Sequence, residues 1–70
     1  MELEPDKFYR VVTTRKIFGY ENARCIPKGT HGFVHISSIY YAFYSMRGEF
    51  RFSIMREDFR LLTPLELLAM

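Results

Sequence analysis

Glu49-Phe-Arg-Phe-Ser-Ile-Met55 carries the clearest alternation in the chain, with Phe50, Phe52 and Ile54 on one side of an extended backbone and Arg51 and Ser53 on the other. Strand side chains repeat with a period of two, so this stretch predicts a half-buried β-strand. The preceding Arg47-Gly48 reads as a hairpin turn, because Gly accepts the positive φ that two-residue loops require. The partner strand is then Ile39 to Met46, IYYAFYSM. A turn at Arg47-Gly48 sets Met46 against Glu49, Tyr44 against Arg51, Phe43 against Phe52 and Tyr41 against Ile54. Phe50, Phe52 and Ile54 face the core in this register, together with Tyr41, Phe43 and Ser45. The other face carries Tyr40, Ala42, Tyr44, Met46, Arg51, Ser53 and Met55.

Working toward the N-terminus, Thr30 to Ser37 (THGFVHIS) is a further strand. A turn at Ser37-Ser38 puts His35 opposite Tyr40 and Phe33 opposite Ala42, and sends Val34 and Ile36 to the core. Pro27-Lys28-Gly29 is a turn in which Pro presets φ and Gly tolerates a positive one. Arg15 to Asn22 is an excursion loop around Gly19, with Ala23 to Ile26 returning as a short strand. Lys7 to Thr14 (KFYRVVTT) is aromatic and β-branched and reads as the first strand, with Phe8, Arg10 and Val12 on one face and Tyr9, Val11 and Thr13 on the other. Toward the C-terminus, Arg56 to Asp58 reads as one helical turn and Phe59 to Leu62 as a closing strand. Thr63 is an N-cap ahead of Pro64 at the first helical position, predicting a short helix over 64–70. The expected organisation is an acidic N-terminal extension over 1–6, an all-β body of five strands over 7–62, and a short C-terminal helix or tail over 63–70.

Two stretches carry a resemblance. Ile26-Pro-Lys-Gly-Thr-His-Gly-Phe-Val34 resembles the Gly-x-x-Gly-x-Val turn and strand of small SH3-like and KOW-type domains. Arg56-Glu-Asp-Phe-Arg-Leu-Leu62 is similar to the helical turn and last strand of the same fold. The resemblance implies a five-stranded SH3-like barrel over about residues 7–62, and its KOW side implies binding to RNA or to the transcription or translation machinery. Peptide-binding SH3 domains read proline-rich ligands with an acidic first loop and a Trp at the start of the third strand. Here that loop carries Arg15 and Lys16 and the chain has no Trp, which excludes polyproline recognition of that kind.

Bulk properties narrow the class further. Seventy residues support one core, because a chain this short buries only roughly 60% of its unfolded surface. The single cysteine, Cys25, rules out an internal disulfide framework and points to an intracellular, cytoplasmic protein in a reducing compartment. The acidic start lacks the features of a signal peptide, and no apolar run reaches membrane-spanning length, so no membrane role is expected. The net charge of +2 is unevenly distributed. Glu2, Glu4 and Asp6 make an acidic start, the stretch from Lys7 to Arg56 carries nine Lys or Arg against Glu21 and Glu49, and the tail is acidic again. Such a basic body favours an anionic partner, either an acidic protein face or nucleic acid.

Catalysis and metal binding find no constellation. His31 and His35 lie on a strand, where four residues span roughly 13 Å, too far for both to bind one ion. Cys25 has cations beside it but no base and orienter, and reads as a half-buried structural thiol. Glu57 and Asp58 point apart on a helical turn, and Lys28-Gly29-Thr30 lacks the context of a phosphate loop. No cofactor is expected. The expectation is a non-enzymatic binding module that docks as accessory subunit or inhibitor on a larger protein or complex with an acidic surface. Phe33, His35, Tyr40, Tyr44 and Arg51 would form an aromatic outer face, and Arg15, Lys16, Arg24 and Lys28 a basic rim. Aromatic rings with Arg suit an interface centre and equally suit base stacking, so a nucleic-acid-binding barrel is the alternative. A homodimer, or a C-terminal segment folded over the face to bury Leu65, Leu67, Leu68 and Met70, would satisfy the same rings.

Overall fold

A computed structural model describes residues 3–19 and 24–69, the Phe52 side chain excepted. The described residues are all-β, with five antiparallel strands and a short helix. β1 (Phe8–Thr13), β2 (His31–Ile36), β3 (Tyr41–Ser45) and β4 (Phe50–Ile54) are followed by a 3-10 turn (Arg56–Asp58), β5 (Phe59–Leu61) and α1 (Pro64–Leu68). The sheet order is β4-β3-β2-β1-β5, so β1 lies between β2 and β5 while β4 and β5 are the edges. Among the described residues the ladder stays open between these two edges and forms no hydrogen-bonded closed barrel. The loop after β1 returns through one isolated bridge, Ile17 to Ile26, which lies within the short return strand expected at Ala23 to Ile26; residues 20–23 fall outside the described residues.

Alternation fills the core. Tyr9 and Val11 pair with Val34 and Gly32, Val34 pairs with Phe43, and Ile36 with Tyr41, all on the inner side. Val11, Ile26, Val34, Phe43 and Phe59 are the largest fully buried side chains, each stabilising the fold by about 1.5–3 kcal/mol relative to exposure. Tyr41 meets Phe59 edge-on at 5.5 Å, tying β3 to β5 across the core. The acidic N-terminal stretch folds back on this body: Leu3 packs on the core, the Glu4 amide donates to the Tyr9 hydroxyl at 2.8 Å, and the Asp6 amide donates to Ile36 O at 2.7 Å. Thr13 is buried for a polar reason. Its hydroxyl donates to Pro27 O and accepts from the Thr30 amide, both at 2.8 Å, which pins the Pro27–Thr30 turn to the end of β1.

Both hairpins differ in register from the sequence reading. The β2–β3 turn centres on Ser38-Ile39, with the Ser37 amide donating to Tyr40 O at 2.9 Å. Phe33 therefore faces Tyr44 and His35 faces Ala42. A shift of two in the pairing preserves the faces. The β3–β4 loop is Met46-Arg47-Gly48, closed by the Ser45 amide donating to Glu49 O at 2.8 Å, with Gly48 at φ 90°. The cause is Ser45, whose buried hydroxyl accepts the amides of Arg47 (3.2 Å) and Glu49 (3.0 Å) and so widens the loop by one residue. This is the loop length in which a left-handed Gly is favoured.

The wider loop turns over the first half of β4. Phe50 now pairs with Tyr44 on the outer side and Arg51 with Phe43 on the inner side, the reverse of the expected arrangement. A β-bulge then adds one residue to β4 between the Phe43–Arg51 and Tyr41–Ile54 pairs, and Ser53 sits there at φ 54°. Two one-residue offsets cancel, so Ile54 meets Tyr41 and returns to the core as expected. The expected core position of the Phe52 side chain lies outside the described residues.

α1 is held by its ends. The Thr63 hydroxyl accepts the Glu66 amide (3.1 Å), the Glu66 carboxylate accepts the Thr63 amide (2.8 Å), and Arg60 grips the same carboxylate at 2.8 and 2.9 Å. The Arg60 hydrogen bond and the Thr63 amide hold the Glu66 carboxyl at about 2, below its ordinary 4.5. A carboxyl depressed on folding stabilises fully above its ordinary value and loses that contribution as pH falls toward its folded value. α1 should therefore fray as pH drops from 4.5 to about 2 while the sheet persists, visible as loss of the Leu67 and Ala69 amide protection. The same protection should be pH-independent in Glu66→Gln; fraying at the same pH in that variant would remove Glu66 as the cause. The helix does not cover the sheet: Leu65 and Leu68 are 77% and 83% exposed.

Candidate interaction surface

The outer side of the sheet carries a lateral row of large side chains. Arg10 on β1, Phe33 on β2, Tyr44 on β3 and Phe50 on β4 stand opposite one another in register. The Arg10 guanidinium lies over the Phe33 ring at 5.0 Å, and Tyr44 stacks on Phe50 at 4.6 Å with the rings 16° apart. A second row places Phe8 beside His35 at 4.7 Å, with the small Ala42 next across the ladder. Phe8 leans across that gap to 6.3 Å from Tyr44 and joins the two rows. Stacked pairs of this kind contribute about 0.5–1.5 kcal/mol each. They also set neighbouring rings against one another before any partner arrives.

The surface stays accessible. Phe8 is 63% and Tyr44 39% exposed, and Met46 beyond them is exposed as well. Of the expected face, Phe33, His35 and Tyr44 come together here. Tyr40 does not join the rows; it lines a cleft of about 500 Å³ between the β2–β3 turn and the 3-10 turn, with Ile39, Tyr41 and Met55. Arg51 lies on the opposite side for the register reason given above. Phe8, Arg10 and Phe50 are the members that sequence reasoning left out. The first two had a signal, since Arg10 between Phe8 and Val12 marks that side of β1 as the solvent side. Phe50 had none, because its side depends on the length of the hairpin loop.

The expected basic rim divides. Arg15 pairs with Asp58 at 3.0 Å, and Lys16 lies 5.3 Å from the Phe18 ring centre. Both line a groove of about 280 Å³ between the loop after β1 and the bulged end of β4, where Arg51 also sits. Arg24 is exposed in the return arm of that loop and Lys28 in the Pro27–Gly29 turn, and neither lines the groove. Asp58 organises this corner. Its carboxylate accepts the Met55 amide at 2.7 Å and faces Arg15, closing the 3-10 turn against the loop. Cys25 is exposed, not half-buried: of the described residues of that arm, Ile26 turns inward while Arg24 and Cys25 face out.

Among the described residues no group of three or more His, Cys, Asp or Glu is placed to hold a metal ion, and no helix is long and apolar enough to cross a membrane. The geometry defines a small all-β protein with an uncovered aromatic sheet face and a separate cationic groove. Compared with protein-family models, curated protein sequences and solved structures, the chain matches none.

Proposed function

We propose that this protein is a non-enzymatic SH3-like module that docks on a larger protein through the outer face of its sheet. The SH3-like reading is supported by the sheet order and by the 3-10 turn ahead of the last strand. The observation that carries the docking reading is the aromatic set Phe8, Phe33, His35, Tyr44 and Phe50, in which Phe8 and Tyr44 are exposed, the other three half-buried, and none is covered by α1. Aromatic rings backed by one Arg are what interface centres are enriched in, because they bury much area for little lost side-chain entropy. Cations on this face are already engaged: Arg10 lies over Phe33, and Arg60, opposite Val12, pairs with Glu66. That leaves the face mainly apolar and favours a protein partner over a phosphate backbone.

Single-stranded nucleic acid stacked on the same rings is the second reading, favoured by the exposed Phe8 ring beside Tyr44. Affinity capture with and without nuclease separates the two. The partner should survive nuclease and moderate salt, and should be lost in Phe8→Ser with Tyr44→Ser, two exposed positions whose replacement spares the core. Capture that disappears with nuclease assigns the nucleic-acid reading. A wild-type dimer that becomes monomeric in the double variant assigns the face to self-association.

A further inference from the structure

The groove beside β4 is distinct from the aromatic face, and its construction is specific. The bulge that carries Ser53 at φ 54° is a conformation a non-Gly residue adopts at a cost, and such features concentrate where a side chain must be aimed. Arg51, already turned to the inner side of β4 by the wider β3–β4 loop, lines this groove with Arg15 and Lys16, and the bulge returns the strand to phase just after it. Arg51 Nη1 donates to Phe50 O at 2.7 Å. Its Nε is buried and meets no acceptor among the described residues. That nitrogen is closed to solvent, but Arg51 as a whole is half-buried, and guanidinium donors are best matched by an oxyanion. Asp58 neutralises Arg15 on the groove wall, so the net positive charge of the groove comes from Arg51 and from Lys16, whose ammonium lies 5.3 Å from the Phe18 ring centre. Phe18, 70% exposed at the rim, supplies an apolar flank.

We propose that this groove is a recognition site for the carboxylate of an acidic protein segment, in which the Arg51 guanidinium and the Lys16 ammonium take the oxyanion and Phe18 covers the adjoining side chain. Asp58 decides between anions. A singly charged carboxylate tolerates its neighbourhood, whereas a phosphate brings more negative charge against it. A groove of about 280 Å³ also suits one acidic side chain and its backbone better than a nucleotide. This site does not rest on the docking role of the aromatic face, since the two share no residue.

The test is titration of the isotope-labelled full chain with a short Glu- and Phe-containing acidic peptide, followed by NMR. In parallel arms, inorganic phosphate and a single-stranded oligothymidylate replace the peptide. The peptide should shift the Arg51 Nε–H, Ser53 and Lys16 resonances and leave those of Phe8 and Tyr44 in place. Lys16→Gln, at an exposed position that leaves the core intact, should weaken binding about tenfold, as loss of one charged hydrogen bond does. Arg51→Lys keeps the charge, removes the forked guanidinium donors and should weaken it similarly. Phe8→Ser with Tyr44→Ser should bind the peptide as the parent does, which keeps failure here separate from failure of the docking face. The proposal is overturned if the peptide leaves the groove resonances unmoved, if phosphate or the oligonucleotide shifts them at lower concentration, or if Arg51→Lys binds unchanged.

Discussion

Gly32→Ala should melt about 15 °C or more below the parent, corresponding to about 3 kcal/mol of lost stability. Gly32 is buried in the middle of the sheet, paired with Val11 on one side and Ser45 on the other. A Cβ placed on it would lie 2.4 Å from Tyr44 O and 2.8 and 2.9 Å from the Phe43 ring. The first of these contacts is with the backbone of the neighbouring strand, so relief requires separating β2 from β3. Total stability for a chain of this length is roughly 4–10 kcal/mol, and the loss is a large share of it. Thermal unfolding by circular dichroism measures the effect. An unchanged melting temperature would mean that β3 does not approach Gly32 this closely.

The second large effect is at the other side of that contact. Phe43 is fully buried, pairs with Val34 and Arg51, and sits in the main core cluster. Phe43→Ala should cost about 4 kcal/mol in urea unfolding, because the ring is lost from all sides at once and a β-sheet core collapses poorly into the space. The two sites are coupled. Gly32→Ala in a Phe43→Ala background keeps the clash with Tyr44 O but loses the clash with the ring. Together the substitutions should therefore cost about 1 kcal/mol less than their separate effects combined. Strict additivity would show that the ring does not fill the space beside Gly32.

These positions also tie the aromatic face to the core. Ser45, Tyr44 and Phe43 are consecutive: the first sets the hairpin loop, the second carries the exposed ring and the third anchors the strand in the core. A partner meets a surface whose geometry the core already holds, which lowers the ordering cost of binding. The cationic groove depends on the same hairpin. If the loop after β3 were one residue shorter, Arg51 would return to the outer face and the groove would lose a cation.

The sequence by itself determined the strands, a helical turn at Arg56–Asp58, the cap at Thr63, and the inward facing of Val34, Ile36, Phe43 and Ile54. All of these follow from short-range rules: period-two alternation, turn residues and capping chemistry. It also marked Phe33, His35 and Tyr44 for one outer face, because a register shift of two residues leaves faces unchanged. Only the tertiary structure decided the sides of Phe50 and Arg51. They hang on a Ser45 hydroxyl that widens one loop and a bulge at Ser53 that restores the phase, and a single residue of offset in a strand exchanges its two faces. The joining of Phe8 and Arg10 to the patch was likewise settled by β1 pairing with β2, a contact across more than twenty residues of chain, to which no local pattern assigns a register.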